Sequence, residues 1–469
     1  METITKINYT KLQEYLKINK IKHEGINEDV DALSDLLHDH LGNAIIQCEE
    51  SKEIKKTKYK KLNPWATNEL VKMCALKQEL YRKKRQYPQN EVIKEYHKEI
   101  SRKVNDLRTT LKKDHINRQI TNCIEKKQNV WQVLKATSGT MSTEDNTICQ
   151  IKEDNDIITD EKTIANKFNS FYVNVGPNLA NKLPNSSEPN TMDACGSNNI
   201  MTTKTATREE VINLIAKLSH KNSCPNKISN VLIKKVSDSV VDIMVKIINI
   251  SYKEGVFPTK CKDTVIKPLF KSGDAMEVTN YRPISITSAC ARINEMAMKT
   301  RLEEYLHKIN FFYQGQYGFI KNKDSQGAIF DLVTTIQTAM DKNRKCVAIF
   351  IDLRKAFDTV NHEILLKKMF NIGIKEENLN WFRTYLSERP QQVKIGKWLS
   401  DILFMMCGVP QGSVLGPILF LIYINDIGKL KLNGKIQLFA DDAIRRPLLY
   451  LQQQNDSASL LQTREAPGG

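Results

Sequence analysis

The stretch "IQLFADDAI", residues 436–444, puts two like charges, Asp441 and Asp442, directly behind an apolar run. Ile436, Leu438 and Phe439 are strand formers, and Ile444 resumes the apolar pattern two positions after Asp442. Apolar residues on both sides of a short polar break spell a β-hairpin with both carboxylates in its turn. Carboxylates held this close repel, and one takes up a proton unless a cation sits between them. Hard oxygen donors of this kind suit Mg²⁺, which is commonly held by one or two carboxylates together with substrate phosphates. Solvated hairpin tips also carry adjacent acids, so the rest of the chain has to decide between the two readings.

A second carboxylate lies ninety residues upstream. In "CVAIFIDLRKAFDTVNH" a continuous apolar run, Val347 to Ile351, reads as a buried strand and ends at Asp352. Packing does not call for an acid at the end of a buried strand; a helix N-cap is the competing account. If this strand lies beside the 436–444 hairpin, Asp352 and Asp441 converge. Two such carboxylates can hold two Mg²⁺ ions about 3.5–4 Å apart. Phosphoryl transfer needs little more than such positioning and charge neutralisation. Between the two sites, "GVPQGSVLGPILFLIYINDI" (408–427) carries Gly408, Pro410, Gly412 and Gly416. These make a tight turn before an apolar helix, and backbone approaches a ligand closely where side chains are missing. Gln411 offers an amide at the bend.

Charge is unevenly distributed. The net charge is +16, yet residues 51–130 hold 22 Lys and Arg against nine Asp and Glu, a local excess of 13. A polyanion, nucleic acid first, is the partner such a block suits; a solvated helix face is the alternative. Within it, "NELVKMCALKQELYRKKRQ" and "NEVIKEYHKEISRKVNDLRTTLKKDHINRQI" show apolar residues at helical spacing, so 62–135 reads as two long helices broken at "YPQN". Ten cysteines include no C-x-x-C pair, which points to neither a zinc site nor a disulfide framework and fits a reducing, intracellular compartment. No apolar core opens the chain as a signal peptide would. The run "PILFLIYI" is far short of the roughly 20 residues that cross a bilayer, so no membrane is expected as a partner.

Five segments in order carry a family resemblance: "IKPLFKSGDAMEVTNYRPISI" (266–286), "QYGFIKNKDSQGAI" (316–329), "IFIDLRKAFDTVNH" (349–362), "VPQGSVLGPILFLIYINDI" (409–427) and "LFADD" (438–442). In order and spacing they resemble the reverse transcriptases of non-LTR retrotransposons, the LINE-like and jockey-like elements. "FNSFYVNVGPNLANKL" and "NPWATNEL…LYRKKR" resemble the region before the polymerase, so the resemblance covers roughly 62–442. It implies an α+β fold, a right-hand polymerase with fingers and palm preceded by a mostly helical basic region. It also implies an RNA-directed DNA polymerase with an RNA template, a DNA primer and dNTPs as partners. The cofactor would be two Mg²⁺ ions, with Mn²⁺ as a substitute. By resemblance Asp352, Asp441 and Asp442 are the catalytic, metal-binding carboxylates. Phe357 matches the aromatic position beneath the incoming sugar, where a ring leaves no room for a 2′-hydroxyl. Gln411 and Gly412 match the turn at the incoming nucleotide, and Lys271 and Arg282 match basic finger positions facing the triphosphate.

There are departures. Ile320 stands where relatives usually have Arg, and Asn226 in "SCPNKIS" stands where Asp is usual. No endonuclease precedes the basic helices. Arg445, Arg446 and Pro447 fall where the second hairpin strand should run, and proline suits a central strand poorly. The primer grip and thumb are not recognisable, so the reading is of an element truncated within the palm, with little processive synthesis. The expected division is a polar N-terminal segment 1–61, a basic helical region 62–137, a loop-rich connector with helices 138–244, fingers and palm 245–442 and a divergent tail 443–469. The expected location is the nucleus or a cytoplasmic ribonucleoprotein. The alternative function is a catalytically inactive retrotransposon remnant that binds nucleic acid.

Overall fold

The computed structural model describes residues 2–22, 29–54, 63–125, 148–153, 156–182, 199–219, 228–342, 347–430 and 435–446. These fall into two compact units. Two helices lead the larger one. Helix α1 (Tyr9–Ile18) starts at Asn8, whose side chain accepts from the backbone N–H groups of Thr10 and Lys11. Helix α2 (Val30–Cys48) starts at Asp29, which accepts from Asp31 N. Both use the usual N-cap device for orphan donors. Leu12 and Leu16 of α1 and Leu33, Leu37 and Leu41 of α2 recur at helical spacing and are buried in the main core. These two helices lie in the segment 1–61, expected to be polar, and their apolar stripes enter this core. A narrow apolar stripe is enough to dock a helix whose remaining faces are charged.

The smaller unit holds the basic helices α3 (Asn68–Gln86) and α4 (Glu91–Glu125). Thr67 caps α3 by accepting from Leu70 N; Glu69 lies in the first turn and Lys83, Lys84 and Arg85 in the last, as the helix dipole favours. Leu70, Leu80, Ile100 and Val104 are buried between the two helices, with Trp65, Met73, Leu107 and Leu111 packed around them. The core is thin, and most other side chains of this pair face solvent.

The rest of the larger unit mixes helices and two main sheets. Helices α5 (Glu161–Ala180), α6 (Arg208–Lys217) and α7 (Ser237–Glu254) precede the first hairpin, β1 (Thr264–Phe270) and β2 (Tyr281–Thr287). After it come α8 (Ala289–Lys308), α9 (Ser325–Asp341), β3 (Ile349–Asp352), α10 (His362–Asn371) and α11 (Glu376–Leu386). The chain continues through β4 (Arg389–Ile395), β5 (Trp398–Leu399), β6 (Leu403–Met405), α12 (Gly416–Ile424), β7 (Lys435–Phe439) and β8 (Asp442–Arg446).

One sheet runs β6–β4–β1–β2, with β5 added on β4. Its β1–β2 hairpin is antiparallel, Thr264 opposite Thr287 through Phe270 opposite Tyr281, whereas β1 and β4 are parallel. Pro268 and Pro283 are register partners in the hairpin; residues that lack N–H donors are tolerated where no ladder bond is required. Helix α5 lies on this sheet and buries Ile164, Ala165 and Phe168 with Ile266, Val393 and Ile395. The main core is helical. Trp381 and Tyr385 stack at 5.8 Å, the Phe257 ring meets Trp381 edge-on at 5.2 Å, and the Trp381 indole donates to Ser251 Oγ. Each large apolar side chain buried there contributes about 1.5–3 kcal/mol, before the entropy of ordering it is subtracted.

Candidate active site

The second sheet brings the acids together. It runs β7–β8–β3, all antiparallel. Asp442, the first residue of β8, is the register partner of Asp352, the last residue of β3. Phe439 pairs with Asp442 across β7 and β8, so Ala440 and Asp441 alone form the hairpin loop. Ala440 has φ of 57°, in the left-handed region that two-residue hairpin loops require and alanine resists. The three carboxylates therefore share one end of the sheet, as sequence reasoning expected.

What holds that turn was not foreseen. The segment around "GQYGF" straps the hairpin: Leu438 N donates to Gly315 O, and Tyr317 N donates to Leu438 O, both at 2.8 Å. Buried Gln316 accepts from Gly318 N and Ala440 N through one oxygen. A Cβ on Gly318 would fall 2.3 Å from Ala440 N, and one on Gly315 would fall 2.6 Å from Ile436 O. The two glycines of this motif are thus required by backbone approach to the carboxylate turn. Their spacing in the sequence was the available signal.

The electrostatics follow from the crowding. Burial raises the Asp441 carboxyl above its ordinary value; a hydrogen bond from its own backbone lowers it, Asp442 and Asp352 raise it again, and Arg282 lowers it. Arg282 stands on β2 and Lys271 just beyond β1, both exposed. Burial depresses Lys355; Asp358 opposes that, while Lys271, Arg354 and Arg282 add to it. Three carboxylates and several cations thus act on one region. Among the described residues, no three His, Cys, Asp or Glu side chains already stand in a ligating cluster. The donor set is all carboxylate oxygen, the set a hard divalent ion prefers, and Asp441 is raised first by burial and then by its two acidic neighbours. In donor type the residues fit such an ion.

Two expectations about these strands need correction. The run 347–351 is not buried: β3 is exposed along its length, with Phe350 71% accessible. Among the described residues it pairs on one side only, with β8, and forms the edge of a three-stranded sheet. Apolar composition had been read as burial on both faces. Arg445 and Arg446 do not interrupt the second hairpin strand either. They lie within β8, opposite Ile436 and Lys435, and β8 is the central strand. The backbone ladder tolerates any residue that has an N–H. Pro447 and Asn226 lie outside the described residues.

The remaining predicted residues cluster on the segment after β3 and on the glycine loop. Phe357, in a 3₁₀ turn at Ala356–Thr359, stacks on Phe420 of α12 at 4.6 Å and meets Phe319 edge-on at 6.2 Å. The loop at 408–416 folds tightly, as its glycines implied. Gly408 N donates to Val360 O, Val409 N to Phe357 O, and Ser285 N to Gln411 O. Gly412 has φ of 102°, and a Cβ there would sit 3.1 Å from Ser285 O. Beneath the loop, fully buried Glu295 accepts from Val414 N and Leu415 N at 2.6 and 3.1 Å. Burial raises the Glu295 carboxyl and buried Arg389 draws it back. Gln411 Nε2 donates to Asp358 Oδ1 at 2.7 Å. Neither Glu295 nor Asp358 was singled out from the sequence, where each reads as an ordinary surface acid.

Comparison with known proteins finds the following likenesses. Residues 269–462 match a family model described as "Reverse transcriptase (RNA-dependent DNA polymerase)". That match continues beyond Asp442, where the sequence reading had ended the resemblance. The chain is 28% identical over 221 residues to the probable RNA-directed DNA polymerase from transposon BS of Drosophila melanogaster, covering 47% of this chain and 24% of that protein. It is 31% identical over 224 residues to the RNA-directed DNA polymerase from mobile element jockey of the same organism, with the same coverage. For the probable polymerase from transposon X-element, also of Drosophila melanogaster, identity is 29% over 240 residues, 50% of this chain and 26% of that protein. The chain spans about a quarter of the length of these curated relatives. A solved apo telomerase from Candida tropicalis aligns at 13% identity and a TM-score of 0.30, over 47% of this chain and 57% of that one; a likeness that slight carries no argument.

Proposed function

We propose, on the premise that residues 269–462 are a reverse transcriptase segment of the jockey-like, non-LTR kind, that this chain adds dNTPs to a DNA primer on an RNA template. The observation that carries the reading is the register of Asp442 against Asp352, with Asp441 in the adjoining two-residue loop. In this reading the second sheet belongs to the palm and the β1–β2 hairpin to the fingers. Asp352 and Asp441 are the direct ligands for divalent ions, Mg²⁺ first, and Asp442 is the third carboxylate. Bound there, the ions supply an acidified primer hydroxyl and charge neutralisation at the pyrophosphate. Lys271 and Arg282 face the triphosphate, a task suited to a guanidinium that makes two parallel hydrogen bonds. Phe357, held against Phe420, limits the space beneath the sugar to a deoxyribose. Gln411 and Gly412 form the turn that meets the incoming nucleotide.

The basic helices α3 and α4 give the second reading its support, since a chain that only binds nucleic acid needs no more than such a surface. Among the described residues, no helix is long and apolar enough to cross a membrane. Extension of a DNA primer on an RNA template with dNTPs and Mg²⁺ tests the polymerase reading. Products that vanish with chelator are expected. Tight, salt-sensitive RNA binding with no nucleotide added would favour the binding-only reading.

A further inference from the structure

Asp358 is placed where four segments meet. It sits in the 3₁₀ turn after β3 and is half-buried. Its backbone carbonyl accepts from the Cys407 thiol at 3.4 Å. A Cβ on Gly176 of α5 would fall 2.4 Å from that carbonyl, and one on Gly408 would fall 3.0 Å from it. Two glycines, one from α5 and one from the 408–416 loop, therefore let the Asp358 backbone approach both segments closely. Its Oδ1 accepts from Gln411 Nε2, while its Oδ2 and the hydroxyl of neighbouring Tyr172 are both buried without a hydrogen-bond partner among the described residues.

Packing alone does not explain a half-satisfied buried carboxyl. A hydrophobic residue of similar size would avoid the cost of desolvating it. What a carboxylate does that no hydrophobe can do is choose one end of an amide. Burial raises the Asp358 carboxyl, and the Gln411 hydrogen bond and Lys355 draw it back; with Oδ1 accepting from the Nε2 end of Gln411, Oε1 is turned away from it. Without that contact the two ends of a glutamine amide are nearly interchangeable in shape.

We propose that Asp358 is a positioning residue that fixes the Gln411 amide with its carbonyl oxygen outward, so that this turn recognises a hydrogen-bond donor on the nucleotide. The recognised group is then a sugar hydroxyl or a base amine and not a phosphate oxygen, which has no proton to give. This rests on Gln411 facing the nucleotide, as proposed above.

The test has two arms, both on the full chain. In the first, the protein is labelled with ¹⁵N-glutamine and the side-chain amide signal of Gln411 is assigned by its loss in Gln411→Met. That signal is expected to exchange slowly with solvent in the parent, to exchange at least tenfold faster in Asp358→Ala, and to fall between the two in Asp358→Asn, whose amide can meet either end of Gln411. In the second arm, steady-state addition of each of the four dNTPs is measured. Asp358→Ala is expected to raise the KM at least fivefold with kcat within threefold of the parent, and Asp358→Asn to restore only part of it. An equal rise for all four dNTPs assigns the donor to the sugar; a rise that spares dTTP, which carries no exocyclic amine, assigns it to the base. Unchanged amide exchange in Asp358→Ala, or a loss in kcat with KM unmoved, overturns the inference. A protected Gln411 amide in a parent that adds no nucleotide overturns the polymerase reading and leaves the Asp358–Gln411 contact standing, so the two failures are told apart.

Discussion

Asp441 carries the clearest conflict between folding and the proposed function. Its pKa in the folded chain lies above the ordinary value, with burial the first cause and Asp442 and Asp352 adding to it. A carboxyl raised in this way binds its proton more tightly folded than unfolded. It favours the folded state at low pH, and that contribution is lost as pH rises through the raised value. At neutral pH without divalent ions, Asp441→Asn is therefore expected to raise the melting temperature, by a degree or two at most for an incompletely buried group. The same variant should lose the stabilisation that added Mg²⁺ gives the parent through preferential binding to the folded state. Thermal scans with and without Mg²⁺ check both signs, and a lower melting temperature in the metal-free variant would show that the acid is held by unrecognised partners. At Phe357 the expectation is steric. Phe357→Ala removes a ring stacked on Phe420 and should raise the ratio of rNTP to dNTP incorporation about tenfold or more, the scale of a fully relieved contact. An unchanged ratio would assign the ring to packing. The acids were legible at this scale because strand ends and turns are where packing needs them least. Glu295 and Asp358 were not, because burial of a single acid leaves no periodic trace in a sequence.

At the scale of elements, the sequence pattern located the strands better than their surroundings. The hairpin of β7 and β8 and the strand β3 lie where the alternation and the apolar run put them. The burial of β3 was misjudged, because a run such as "VAIFI" reads the same on an edge strand as in a covered sheet. Exposed edge strands are pairing templates, so this sheet is the element whose environment most depends on what else binds. The basic helices α3 and α4 followed from their periodicity and from the break at "YPQN". Their proposed role is checked by salt. Binding of single-stranded RNA to the full chain should weaken with ionic strength, log K falling by about 0.7 per phosphate contacted for each decade of salt. Replacing Arg82, Lys84 and Arg85 by Ala should reduce that slope by about two to three such units, and an unaltered slope would place the contacts elsewhere.

For the whole molecule, the N-terminal helices were the largest surprise. Leu12, Leu16, Leu33, Leu37 and Leu41 enter the same core as Trp381 and Phe420, so removal of residues 1–50 is expected to destabilise the larger unit and not merely shorten it. Composition hid this, since a polar average over sixty residues conceals a stripe that meets the core once per turn. The ordered motifs, by contrast, carried the site because each places a carboxylate, an amide or a backbone approach that the chemistry needs at a set distance along the chain. The central claim is that Asp352 and Asp441 work together at the end of one sheet. Single-turnover addition of one dNTP by residues 1–469, on primed RNA with Mg²⁺, tests it most directly. The account predicts measurable addition by the parent and a loss of about 100-fold or more in Asp352→Asn and in Asp441→Asn, with the double variant little worse than either. Addition in either variant within tenfold of the parent would contradict it.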